Sequence, residues 1–317
     1  MKRYKKLFAV ILSLALILCS TMPVTALAEE VNVPREFYSI TAQDPEWAEF
    51  ETTAAMRAAV HLDESVFDDL PTEEVLRAVL EYPLNVDIIC FNTIQKGIER
   101  LQEHCTALRV FLKRDDAYEV LRNAIDRNDQ KRLKANLSDV DAAVVPDILQ
   151  FLTMHEGFAV DAIEYKTRMN ETMGTATVYT PKGSAVSVYT IAEFSAADIA
   201  YWNNKATTEY PKATFVSRAS AKYNCHSYAW YSSSTSNPYW MNDPSRYMTD
   251  GSYTRVLKIS QATRVYYPND DHSARVYEAE GNSINNAKMI SKWGVGPVMI
   301  HALHYGPYPG SGASYWR

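Results

Sequence analysis

The spacing of apolar residues changes near residue 170, and this change limits the possible folds more than any other feature of the sequence. From about residue 45 to 160 apolar residues recur three and four positions apart, which is typical of amphipathic helices. After residue 170 the apolar runs are short, rich in β-branched residues and bounded by turn residues, as in TATVYTPKGSAVSVYTI, VLKISQATRVYYP, HSARVYE and AKMISKWG. We therefore predict an α+β protein.

The clearest helical pattern follows Asn92, which with Gln95 fits a capping box at a helix start. Its apolar stripe consists of Ile94, Ile98, Leu101, Cys105, Leu108 and Leu112. Such a stripe predicts one helix with a buried face, and nothing in it indicates catalysis.

The first 28 residues have the pattern of a secretory signal peptide. Four basic residues precede the apolar stretch 7–18, and Ala26-Leu27-Ala28 forms a small-residue cleavage site. The apolar stretch is shorter than the about 20 residues that span a bilayer, and no later segment is long and apolar enough to do so. We therefore expect an exported protein, extracellular or associated with the cell wall, with no membrane segment after signal removal.

Removal of the signal leaves 289 residues with 28 Lys and Arg against 38 Asp and Glu, a net charge of −10. This acidic balance argues against nucleic acid as a partner. The length exceeds what one core usually sustains, so we expect two domains. They are a helical domain over 29–165 and a second domain over 166–317.

Three cysteines remain after signal removal, and an odd number cannot be fully paired within one chain. Cys90 and Cys105 are close enough in sequence for a disulfide, but two buried thiols are the favoured interpretation. Cys225 has no partner in either case. The histidines of the helical part lack metal-ligand spacing, so no metal or cofactor is predicted.

Cys225 lies in KYNCHSYAWYSSS, which reads as a helix start after a turn with Asn224 as the N-cap. In the first helical turn, unpaired N–H groups and the positive end of the helix dipole stabilise a thiolate, and the same groups can hold an oxyanion. Cys225 is therefore the candidate nucleophile, and a buried structural thiol is the alternative.

A nucleophilic cysteine needs a base. His226 projects about 100° around the helix from Cys225, which favours a ring that faces away. His272 opens the strand HSARVYE directly after a turn, and we predict that it is the base. If this strand pairs with AKMISKWG, His272 lies opposite about Trp293 and diagonal to Ser291.

Ser291 is accordingly the first candidate for the residue that orients His272, and His301 is the second. The expected substrate-binding positions are Tyr223, Asn224 and Trp293, which border the proposed catalytic residues.

The order of these motifs resembles the papain-like cysteine hydrolases of the CHAP and NlpC type over about residues 175–317: Asn-Cys at a helix start, a strand that begins Asp-His-Ser-Ala, and a further strand. The resemblance implies a papain-like domain with a central helix packed on an antiparallel sheet. In it Cys225 is the nucleophile and His272 the base. It also implies cleavage of an amide or peptide bond, with cell-wall peptidoglycan as one candidate substrate. NCHSYAWY is also similar to a segment of secreted proteins of Gram-positive bacteria for which no activity is known.

Three alternatives stay open. The triplet Asn224-Cys225-His226 is closer to the lecithin:retinol acyltransferase-like branch, which implies acyl transfer. A hydrolase whose helical half covers the cleft is the second. A catalytically silent wall- or carbohydrate-binding module is the third, and it would use a dense aromatic set for stacking. Packing explains most of that set equally well: Tyr228, Trp230, Tyr231, Tyr239, Trp240, Tyr247 and Tyr253.

Overall fold

The computed structural model describes residues 37–126, 145–158, 173–281 and 286–317. The predicted signal peptide and the predicted domain boundary at residues 165 and 166 lie outside these ranges. Within them, no helix combines the length and the apolar character that a membrane span requires.

Short helices build the N-terminal part, and threonine side chains cap two of them. Thr52 accepts a hydrogen bond from the Ala55 N–H, and Thr93 accepts one from the Lys96 N–H. The α-helices are α1 (Thr53–Ala59), α2 (Thr72–Leu80), α3 (Ile94–His104), α4 (Thr106–Phe111), α5 (Ala117–Asp126) and α6 (Val145–Thr153), and single 3₁₀ turns occupy Pro45–Glu49, Glu64–Phe67 and Asn85–Ile89.

The stripe predicted as one helix forms two. The chain leaves the helical conformation at Cys105, with φ −96° and ψ 99°, and α4 then packs against α2. The cap also differs from the expected one. Because Thr93 caps α3, the side chain of Asn92 is available for other contacts.

The C-terminal part contains a hairpin and an antiparallel sheet, so the α+β class is confirmed. Strands β1 (Gly174–Tyr179) and β2 (Ala185–Thr190) form the hairpin predicted over 175–191. The sheet has the order β3-β8-β7-β6-β5-β9-β4. Its strands are β3 (Thr214–Ser217), β4 (Arg255–Val256), β5 (Arg264–Tyr267), β6 (His272–Ala279), β7 (Ala287–Lys292), β8 (Val298–Ala302) and β9 (Ser314–Trp316).

A central helix turn carries the NCHSYAWY segment and packs on β6 and β7. Asn224 caps it as predicted, because its Oδ1 accepts a hydrogen bond from the Ser227 N–H at 3.1 Å. The turn widens to a π-helix over Ser227–Tyr231. Two further helices, α7 (Ala196–Glu209) and α8 (Ser245–Thr249), flank it in the sequence.

Among the described residues, three hydrophobic clusters lie within the C-terminal part, and one larger cluster joins residues from both of the predicted domains. The cluster includes Trp47 and Leu76 from the N-terminal part and Trp202 and Trp293 from the C-terminal part. The Trp47 indole also donates to the Glu209 carbonyl at 2.9 Å. The physical reason is that α7 and the N-terminal helices bury their apolar faces against each other.

The turn between β7 and β8 clamps the N-terminal segment that precedes Asn92. The Val295 N–H donates to the Ile89 carbonyl at 3.1 Å. Gly294 has a φ of 52°, and a Cβ at this position would collide with the backbone of Ile89 and Cys90. Only glycine allows both the left-handed conformation and this close approach.

We expect Gly294→Ala to lower the free energy of unfolding by about 3 kcal/mol, since it adds a collision to the cost of a positive φ. Gly251→Ala is the matched control, because Gly251 also has a positive φ of 82° but an added Cβ has no atom within 4 Å. The control should cost about 1 kcal/mol. Urea unfolding of the two variants measures the difference, and equal losses would contradict the proposed clamp.

Candidate active site

The Cys225 sulfur lies in the first turn of the central helix and is almost fully enclosed, with 1 % of the residue exposed. It is 3.8 Å from Asn92 Oδ1 and 3.9 Å from the Asp271 carbonyl oxygen. All three cysteines of the described ranges are free thiols, which is the favoured prediction. Burial raises the pKa of Cys105 to about 12 and that of Cys90 in the same direction, so these two are ordinary core thiols.

The His226 imidazole, next to Cys225 in the chain, has hydrogen-bond partners at both ring nitrogens. Its Nε2 donates to Asp271 Oδ1 at 3.1 Å, since a carboxylate can only accept, and its Nδ1 is 2.8 Å from Ser273 Oγ. The Trp230 indole N–H also donates to Ser273 Oγ, at 2.8 Å. The ring is therefore fixed between two residues of the strand β6 region.

Charge controls the protonation of His226. Burial by itself lowers the pKa of this ring, but charge and hydrogen bonding from Cys225 and Asp271 outweigh burial and raise the pKa to about 10. With such a pKa we expect the ring to be an imidazolium at neutral pH.

Asp271 connects the imidazole to the surface. Its side chain is 43 % exposed, and Asn92 Nδ2 donates to its Oδ2 at 2.8 Å. Burial raises the pKa of Asp271, but hydrogen bonds from His226 and Asn92 hold it below its usual value. Among the non-glycine residues described, only Asp271 has a positive φ, 48°. Such backbone strain is frequent at functional sites.

The His272 side chain points away from the face of β6 that the central helix covers. Ser273 faces the central helix, so its neighbour His272 points to the opposite face of β6. There the His272 ring stacks on Tyr308, with centroids 3.4 Å apart, and neither ring nitrogen has a hydrogen-bond partner within the described ranges. Burial lowers the pKa of His272 far below its usual value. The expected hydrogen bond between Cys225 and His272 is therefore not formed.

Ser291 does not orient His272 in the structure. The predicted pairing of the two strands is present, since Arg275 pairs with Ile290 in the register that was expected. Ser291 Oγ nevertheless lies 2.9 Å from Nε2 of His301, which reaches it from β8. The expected contact between Ser291 and His272 is therefore corrected to one between Ser291 and His301. The reason is that β8 places the His301 ring closer to Ser291 than β6 places its diagonal neighbour His272.

The three expected substrate-binding residues are buried. Tyr223 and Trp293 are 1 % and 0 % exposed, and Asn224 is used as the helix cap. Trp293 packs edge-on against Tyr210 and His301 in the core. In this conformation none of them presents a surface for a substrate.

A buried lysine holds together the backbone segments next to the site. Lys292 Nζ donates to the carbonyls of Ser220, at 3.0 Å, Gly294, at 2.8 Å, and Gly296. It also lies over the Tyr223 ring, 5.1 Å from its centroid. Burial lowers the pKa of Lys292 to about 7, while charge at Cys225 raises it. Three carbonyl acceptors fit an ammonium, since a neutral amine has only two N–H groups to donate.

Most of the aromatic set packs inside the protein. Four of its seven members are buried, which favours the packing interpretation over a stacking surface: Tyr228, Trp230, Trp240 and Tyr247. Tyr231 is exposed. In the part of the chain that is described, no group of three or more His, Cys, Asp and Glu side chains could hold a metal ion.

Sequence reasoning set His226 aside as a ring that faces away and assigned Asn92 to a helix cap, and it did not single out Asp271 or Ser273. The alternation of side chains along HSARVYE could have indicated Asp271 and Ser273, because the residues on either side of His272 share the opposite face of the strand. Asn92 had no local signal. It reaches Cys225 from 133 positions away in the chain.

Comparisons of the chain with protein-family models, with curated proteins and with solved structures found no match.

We expect Asp271→Asn to lower the pKa of His226 by about 1–3 pH units, because it removes the negative charge that the imidazolium faces. A titration of the His226 ring by NMR measures this. Asp243→Asn is the control. The charge of Asp243, like that of Asp271, raises the pKa of Tyr266, but the Asp243 carboxylate accepts its hydrogen bonds from Ser245. Equal shifts in both variants would exclude a specific role for Asp271.

Proposed function

We propose that this protein is a cysteine-dependent hydrolase of amide bonds, with Cys225 as the nucleophile, His226 as the catalytic imidazole and Asp271 as its partner. The observation that supports this assignment is the position of the buried His226 ring, which follows Cys225 in the first turn of the central helix and is held by Asp271 at 3.1 Å and Ser273 at 2.8 Å. A raised pKa of His226, to about 10, agrees with this geometry. Strongly perturbed titratable groups with a specific charge partner are typical of catalytic sites.

The proposed reaction has two steps. The Cys225 thiolate attacks the amide carbonyl carbon, and N–H groups of the first helical turn stabilise the oxyanion. The carbon–nitrogen bond breaks as the imidazolium of His226 gives its proton to the leaving amine, and a thioester remains. Neutral His226 then takes a proton from water as the water oxygen attacks the thioester carbonyl carbon. The carbon–sulfur bond breaks, a carboxylic acid is released, and the pair of Cys225 thiolate and His226 imidazolium is restored.

The proposal keeps part of the resemblance to papain-like hydrolases and changes another part. A cysteine at the start of a helix that packs on an antiparallel sheet agrees with that arrangement. The imidazole differs, because it comes from the residue after the cysteine instead of from β6. The expected export makes a peptide or peptidoglycan amide the proposed substrate and an extracellular or wall-associated location the proposed one.

The two imidazoles can be compared directly through the reactivity of the sulfur. At pH 7 we expect iodoacetamide to alkylate Cys225 of the full-length protein faster than Cys90 and Cys105, as followed by mass spectrometry of peptides. His226→Gln should slow alkylation of Cys225 at least about tenfold, since it removes the neighbouring cation. His272→Gln is the matched control and should leave the rate near that of the wild type. The reverse order would overturn the assignment of His226.

Activity on purified peptidoglycan tests the reaction itself. We expect the full-length protein to release new amino groups together with new carboxyl groups, and Cys225→Ala to release none. Release of amines with transfer of the acyl group to an added amine would identify an acyltransferase. Binding without release, unchanged by Cys225→Ala, would contradict the enzyme and favour a wall-binding module.

A further inference from the structure

We infer that Asn92, a residue of the N-terminal helical part, is a positioning residue of the proposed active site, where it holds Asp271 against His226 and faces the Cys225 sulfur. The inference deepens the proposed function and rests on it. It means that the helical part completes the site and is more than a cover over it.

Asn92 contacts three residues of the site: Asp271, Asn224 and Cys225. Its Nδ2 donates to Asp271 Oδ2 at 2.8 Å and to the Asp271 carbonyl at 3.3 Å. Its Oδ1 accepts from Asn224 Nδ2 at 2.7 Å and lies 3.8 Å from the Cys225 sulfur. Asp271 then uses its other oxygen for His226. One buried amide, 8 % exposed, thus bridges the nucleophile, the helix cap and the carboxylate.

The orientation of the Asn92 amide follows from its neighbours. Asn224 Nδ2 must be a donor, because it points at the Met241 carbonyl at 2.6 Å, while its Oδ1 accepts from the N–H groups of Ser227 and Met241. The Asn92 oxygen therefore faces Asn224 and its nitrogen faces the Asp271 carboxylate. Only this orientation satisfies all the groups, and it presents a donor to the carboxylate that holds His226.

The backbone that carries Asn92 is fixed by the C-terminal part. The Ile89 carbonyl accepts from Val295, and the Cys90 carbonyl accepts from the Tyr308 hydroxyl. On the other side, Thr93 caps α3. Because both ends are held, the amide has little freedom, and a small rotation of Asp271 away from it would also disturb the bond to His226.

The chemistry of this contact predicts different results for two substitutions. Asn92→Ala removes the donor at every pH, so Asp271 is less well fixed and His226 loses part of its stabilised charge. Asn92→Asp has nearly the same shape and keeps a donor only while the two facing carboxyl groups share a proton. Once that proton is lost, two like charges face each other beside the sulfur.

The test measures alkylation of Cys225 by iodoacetamide from pH 5 to 9 in the full-length variants, together with NMR titration of His226. Asn92→Ala should lower the alkylation rate about tenfold at pH 7 and lower the pKa of His226. Asn92→Asp should match the wild-type rate at low pH and fall toward the alanine variant as pH rises. Asn85→Ala is the control, since Asn85 is buried in the same segment but donates to the Leu80 carbonyl.

Two results would overturn the positioning role. One is a wild-type pH profile in both Asn92 variants. The other is a loss of alkylation rate in Asn92→Asp that is the same at all pH values and is matched by the loss in Asn85→Ala. Neither readout depends on turnover. If Cys225→Ala still hydrolysed peptidoglycan, the proposed nucleophile would fail, whereas unchanged titration of His226 in Asn92→Ala would remove only the role of Asn92.

Discussion

The hydrogen bond between His226 and Asp271 is the interaction on which the candidate site depends. A fully buried imidazole is costly as a cation, and here its charge is supported by a carboxylate at 3.1 Å and by the adjacent cysteine. Asp271 in turn adopts a left-handed backbone conformation, with φ 48°, immediately before β6. The strained turn and the ion pair are therefore parts of one arrangement, and each other member of the site is placed relative to it.

The hydrophobic pattern was sufficient for the class of fold and for several local features. The change from helical to strand-like spacing, the hairpin over 175–191, the Asn224 cap and the register of β6 on β7 all agree with the structure. These features depend on interactions between near neighbours or on the alternation of side chains along a strand, which a single sequence contains.

Which histidine supplies the imidazole of the candidate site could not be found in the same way. A shift of one residue along a strand moves a side chain to the other face of the sheet, so the choice between residues around His272 depends on which face the helix covers. That face is determined by Ser273, which contacts both Trp230 and His226. Asn92 is further removed still, because its contact with Asp271 forms only when segments 179 positions apart are packed together.

Lys292 adds a constraint on how the nucleophile can move. Its ammonium joins the carbonyl of Ser220, which precedes the central helix, to the carbonyls of Gly294 and Gly296 at the end of β7. If the segment between β3 and Cys225 shifted relative to the sheet, the buried Lys292 amine would lose its acceptor at Ser220 with no water to replace it. The segment that approaches Cys225 is therefore tethered, whereas Asp271 on the other side of the candidate site has a side chain that is 43 % exposed to solvent.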